Sequence, residues 1–331
     1  MPLQQGSAQQ FGDLMCVESE GTLAFSLSGV QLTERGTNEA LAMLRQREDL
    51  SAVIVLQEAD LHAQLFSETW KALPSRLASL AIRPPLAMSL VARSNEAARG
   101  SQQLVSDKQS CAVWRCLIKI AKSGAKIGLQ LGIEEAPLIQ IATPACEPHE
   151  SGLPELLSSP PRHELDWLFG ELRLMRLSDL CGEVVSSADA TAVLAGLWLL
   201  HGDADESHRQ SQSIEDEGRH RCGNFWHAIM HRQEPDYGNS KYWFRRVGQH
   251  PIFPELARRA EALITEEGSD SAWRWRNKLG LPSGWDPFAF VDWCQAAIDE
   301  SDAAQRQLVR RIQFMEMHLL LRASFEDAVH P

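Results

Sequence analysis

The chain has 331 residues, 44% of them hydrophobic, which at roughly 150 residues per domain is material for two domains. A net charge of -12 argues against non-specific binding of nucleic acid, and no apolar run approaches the ~18 residues that would span a membrane. Seven scattered cysteines point to reduced thiols, and the opening MPLQQGSAQQ has no basic and apolar leader pattern; both suit a cytoplasmic protein.

The predicted elements begin with TLAFSLS (22–28), which alternates like a half-buried strand. NEALAMLRQRED (38–49) has helical periodicity, and AVIVL (52–56) is a β-branched run of the buried-strand type. LHAQLFSETWKALPSRLASL (61–80) reads as a helix interrupted at Pro74. PLAMSLVA (85–92) gives another strand, residues 95–122 a helical stretch, and KIGLQLG and PLIQIATP two more strands. Alternation of this kind predicts an α/β domain over residues 1–145, with a mixed or parallel sheet.

The order GTLAFSLS, EALAMLRQREDLSAVIVL, RLASLAIRPPLAMSL loosely resembles the opening of the crotonase superfamily. The glycine-rich segments that supply the oxyanion hole in that superfamily are missing from LQEADLHAQLF and VARSNEAARGS. The resemblance therefore implies a catalytically silent copy, and no activity is carried over.

PACEPHESGLPELLSSPPR, residues 144–162, holds five prolines, and residues 146–162 are predicted as a linker. From 163 to 331 the strand signal fades into an all-helical domain, a helical bundle. HELDWLFGELRLMRLSDLCGEVV (163–185) reads as one amphipathic helix. SADATAVLAGLWLL (187–200) opens on a Ser/Asp cap and is apolar on every side, as a helix in the middle of a bundle would be. Further helices are predicted at 221–234, 239–247, 252–266, 270–279, 286–299 and 301–327. Eight of the ten tryptophans fall in this half and suit a core with large aromatic anchors.

The chemistry gathers in WHAIMHRQEPDYGNSKYWFRRVGQH (226–250). His227, His231 and Glu234 stand at i, i+4 and i+7, on one face of a helix. Two imidazoles so spaced can share a metal ion. Upstream, HGDADESH places His201, Asp205 and His208 at the same spacing. If the two helices are antiparallel neighbours, the stripes face each other and form a divalent-metal site of the kind that bundle cores build. Glu234, Asp236 and His250 are the candidates for proton transfer.

A basic island adjoins these residues. Arg232, Lys241, Tyr242, Arg245 and Arg246 are candidates for binding a small anionic or phosphorylated ligand, with Lys241 and Arg245 projecting together at i, i+4. The alternative is that these cations pair with carboxylates elsewhere in the fold. The segment also resembles a family of bacterial and fungal proteins sharing a W-H-x-x-x-H-R-x-E-x-D-x-x-N-x-K-Y-W-x-R-x-x-G-x-H-P signature. No activity is established for that family, so the resemblance groups these residues into one unit and implies no mechanism. Two function classes follow: metal-assisted hydrolysis or binding of a small anionic molecule, and a non-catalytic interaction protein in which the signature is a hydrogen-bonded structural corner.

Overall fold

The computed structural model describes residues 8–11, 14–19, 22–27, 34–56, 61–83, 88–93, 112–131, 153–159, 165–299 and 302–331. The chain is mostly helical, with a sheet near its N-terminus. Contacts gather into two compact units, Met1–Gly152 and Leu153–Pro331.

The first unit runs β1 (Ala8–Phe11), β2 (Leu14–Ser19), β3 (Thr22–Leu27), α1 (Glu34–Gln46), β4 (Leu50–Leu56), α2 (Leu61–Ala72), α3 (Ser75–Leu80), β5 (Met88–Arg93), α4 (Ala112–Lys122) and β6 (Lys126–Leu131). The strands form one mixed sheet in the order β1-β2-β3-β5-β4-β6. Among the described strands β4 and β6 pair in parallel and the other pairs are antiparallel. The periodicity of α1 buries Ala40, Leu41 and Leu44 against Leu50, Val53, Val55 and Val91. Pro74 separates α2 from α3, as its missing N–H requires. The hairpin β1–β2 was not predicted. The start of the helical stretch at 95–111 and the strand PLIQIATP lie outside the described residues.

The described residues of the second unit hold helices and no strand: α5 (Asp166–Arg173), α6 (Leu177–Cys181), α7 (Ser187–Leu200), α8 (Ala204–Gln212), α9 (Cys222–Gln233), α10 (Tyr237–Val247), α11 (Phe253–Glu267), α12 (Asp270–Lys278), α13 (Pro287–Asp299) and α14 (Ala303–Val329). The single helix expected at 163–185 is thus two short ones. Residues 153–159, within the stretch read as a linker, pack on this unit: Leu153 and Leu156 are buried, and Glu155 O accepts from Gln233 Nε2 and Gln313 Nε2.

α7 is the hub. It begins at Ser186, whose hydroxyl accepts from Asp189 N, and it packs against α8, α9 and α14. Gly196 lets α9 approach closely: a Cβ there would lie 2.5 Å from Cζ2 of Trp226, which is fully buried. The Trp226 indole donates to Ser324 Oγ of α14 at 3.1 Å. These two contacts fix α9 against the hub and α14, and α9 carries the histidines.

Candidate metal centre

The histidine stripe of α9 forms as its spacing predicts. His227 and His231 are buried, at 1% and 6% exposure, and their rings stack with centroids 4.8 Å apart. His208 of α8 joins them from the side, its ring 4.7 Å from His227 and 5.2 Å from His231. One ligand nitrogen from each of the three lies within 4.8 Å of the others. Nitrogens sharing a tetrahedral zinc at about 2.0–2.1 Å would stand roughly 3.3 Å apart, so modest side-chain rotations would close the site.

The partners of these rings are uneven. His227 lies flat on Trp243, with centroids 3.9 Å apart, and neither of its ring nitrogens has a hydrogen-bond partner. Buried polar atoms without partners are rare and need a physical account. Asn239 Nδ2 sits 3.0 Å from His231 Nε2, and Glu234 Oε2 lies 3.4 Å from His231 Nδ1. Burial pushes the His227 pKa down to about 3, with His231 and His208 adding to the effect. Burial likewise holds His231 at about 4, helped by His208 and opposed by Asp236. Both rings are therefore neutral at pH 7; a neutral imidazole has one lone pair, and that of His231 faces the Asn239 amide, which must turn to release a nitrogen to a metal. Burial also raises the Glu234 carboxyl, opposed by His208 and reinforced by Asp205 and Asp236. A raised pKa makes the carboxylate a better proton acceptor than an ordinary one.

The upstream stripe does not form as expected. His201 ends α7, Gly202 turns the chain at φ +89°, and Asp203 starts α8 by accepting from Glu206 N at 2.9 Å. His201 is thus on a different helix from Asp205 and His208. It is buried and stands outside the converging group. Asp205 is exposed and acts on the centre through its charge at Glu234.

Of the proton-transfer candidates, Glu234 adjoins the triad, while Asp236 is exposed and caps α10 by accepting from Asn239 N at 3.1 Å. His250 is drawn elsewhere: it packs edge-on to Phe225 and lies 3.5 Å from Cys222 Sγ.

The basic island is largely neutralised within the fold. Arg232 and Glu316 are both fully buried and ion-paired, and Gln313 Oε1 accepts from the same guanidinium at 3.2 Å. That burial corrects the expectation that Arg232 meets a ligand. Lys241 pairs with Asp292, and Arg246 with Glu215 and Asp216. Arg246 also lies over Trp243 and donates to Tyr242 Oη at 2.7 Å. Arg245 is exposed beside the Phe288 ring.

A second group was not foreseen. Asp189, Cys222 and Asp327 come together from sequence positions too distant for any local periodicity to reveal. Burial, with the Asp327 charge adding, pushes the Cys222 thiol well above its usual pKa, the opposite direction from that of an activated nucleophilic cysteine. Among the described residues no helix is long and apolar enough to cross a membrane. Comparisons of the chain with known protein families, characterised proteins and solved structures give no match.

Proposed function

We propose that the helical unit binds a divalent transition-metal ion at His208, His227 and His231 and uses it for metal-assisted hydrolysis of a small molecule. The observation that carries this reading is the convergence of three imidazoles on one point, with both nitrogens of the buried His227 lacking a partner. Three histidines leave a further position for water, and a bound metal supplies Lewis acidity that lowers the pKa of that water. Glu234, with its raised pKa and its place beside His231, is the residue to receive the proton. Trp243 shields one face of His227 and limits its motion.

The anionic character of the ligand receives less support than the metal. Arg232, Lys241 and Arg246 are engaged by carboxylates, while the Asp236 charge acts on His231 and the charges of Asp205 and Asp236 act on Glu234 beside it. An uncharged or cationic substrate fits that field better. A second reading, a non-catalytic interaction protein, draws on the same ion pairs, since they make the signature a braced corner between α9, α10, α13 and α14.

The test is metal uptake by the full chain. Chelator-stripped protein should take up zinc or cobalt at the triad, and His227→Ala/His231→Ala should lose that uptake while remaining folded. A panel of ester, amide and phosphoester substrates should show turnover that chelator abolishes and that Glu234→Gln reduces by about 10²–10⁴-fold with the metal retained. A wild-type chain whose uptake equals that of the double variant would overturn the metal reading. A metal-loaded chain inactive on the whole panel would favour the structural corner.

A further inference from the structure

The second buried group has the composition and spacing of a metal clasp. Asp189 stands in the first turn of α7, Cys222 opens α9, and Asp327 lies in the last turn of α14. Their exposures are 1%, 0% and 5%, and one ligand atom from each lies within 4.8 Å of the others. Cys222 Sγ is 3.6 Å from Asp327 Oδ2. A sulfur at about 2.3 Å and an oxygen at about 2.0–2.2 Å from one tetrahedral ion would stand roughly 3.5–3.6 Å apart.

Each of the three is also held from outside by a donor, as metal ligands commonly are. Asp189 Oδ2 accepts from Ser186 Oγ at 2.7 Å and from Arg219 N at 3.1 Å. The Asp327 carboxylate faces His220 Nδ1 at 2.8 and 2.9 Å. Ile252 N donates to His250 Nδ1 at 3.4 Å, which assigns the proton to Nε2, and that N–H faces Cys222 Sγ at 3.5 Å. His250 is therefore a donor to the sulfur and not itself a ligand. One atom is left over: Asp189 Oδ1 is buried and has no hydrogen-bond partner. Gly218, at φ +84°, backs onto that oxygen so closely that a Cβ would lie 2.2 Å from it.

We infer that Asp189, Cys222 and Asp327 bind a second divalent ion of the zinc class, which clasps the ends of α7, α9 and α14. Binding displaces the Sγ proton to solvent, one proton per ion, and the thiolate and two carboxylates then face a dication in place of one another. All three ligands are buried, whereas His208 of the triad is partly exposed, so the role of this ion is structural. The site is separate from the histidine triad: the triad is all nitrogen, whereas this one has a sulfur.

Cobalt(II) alone is the probe, because only a thiolate ligand gives a sulfur-to-cobalt charge-transfer band in the near ultraviolet. The chelator-stripped full chain, titrated with cobalt, should develop that band to an amplitude of one thiolate-bound ion per chain, and the His227→Ala/His231→Ala chain, which has only this site, should saturate at one ion. His227→Ala/His231→Ala should keep the band, and Cys222→Ser should lose it. Asp327→Asn, which leaves the sulfur in place, should need about 10–100-fold more cobalt to reach half-saturation. A folded wild-type chain that saturates without a sulfur band, or a Cys222→Ser chain that keeps it, overturns the inference. Should Cys222→Ser be insoluble, an unchanged midpoint in Asp327→Asn overturns it equally. Failure of the triad reading would appear separately, as cobalt binding that His227→Ala/His231→Ala does not alter.

Discussion

The imidazole of His227 lies flat against the indole of Trp243, with ring centroids 3.9 Å apart and planes inclined by 21°. Stacking on the indole covers a face of the imidazole, and His208 and His231 pack against the same ring. A histidine packed for shape alone would ordinarily have a nitrogen bonded to a carbonyl or hydroxyl.

Asn239 should set the state of His231. With Nδ2 donating to Nε2, the proton of His231 sits on Nδ1 and faces Glu234. A turned amide would accept from Nε2–H and free the Nδ1 lone pair for a metal. Asn239→Asp, which can only accept, should preserve zinc affinity, and Asn239→Ala should weaken it by about 10–100-fold. Competition titration against a chromophoric chelator measures both; equal affinity in all three proteins would sink the idea.

The metal-free chain should lose stability as pH falls below neutrality. Burial depresses His227 to about 3, His231 to about 4 and His250 to about 3, all from 6.5. Because the unfolded chain binds these protons first, their contribution is complete above pH 6.5 and is lost as pH falls toward the folded values. Tm recorded from pH 7.5 to 4.5 in chelator should decline steadily. A flat profile across that window would contradict neutral burial, since carboxylates with depressed values, such as Glu255, titrate below it.

Gly196→Ala should destabilise the helical unit by about 1–3 kcal/mol, the usual cost of overpacking. The new methyl would meet Trp226, which cannot retreat without breaking its bond to Ser324. Chemical denaturation measures the loss, and a stability equal to wild type would show that α7 and α9 can separate freely.

Arg232→Met should cost about 3–5 kcal/mol, because it leaves Glu316 charged, buried and unpaired. Adding Glu316→Leu should recover much of that loss, since a well-packed apolar pair often replaces a buried ion pair without penalty. Denaturation of the two single variants and the double variant gives the coupling; simple additivity would mean that the two side chains act independently.

The parts that sequence made legible are local ones. α7 was readable in full because its apolar surface has no polar break and Ser186 caps it. His227 and His231 were readable because a helical repeat brings them to one face. The break at Gly202 was missed although a signal existed: Asp203-Ala204-Asp205-Glu206 is a capping pattern, which marks a new helix start inside HGDADESH. Gly12-Asp13 between two short runs was a similar unused hairpin signal. Arg232 with Glu316, or Cys222 with Asp327, had no such signal. Their partners stand 84 and 105 residues apart, and only the packing of α14 across α9 brings them together.

Both candidate centres hang on α9, with Cys222 at its first turn and His227 and His231 farther along. A rigid helix transmits axial displacement without loss, so the two ends cannot be adjusted independently. Sliding α9 by a single ångström toward α14 would alter the Cys222–Asp327 separation and the His208–His227 separation in the same stroke. The Trp226 ring wedged over Gly196 is the bolt that forbids that slide. Whatever occupies one end of the helix is thereby held in register with whatever occupies the other.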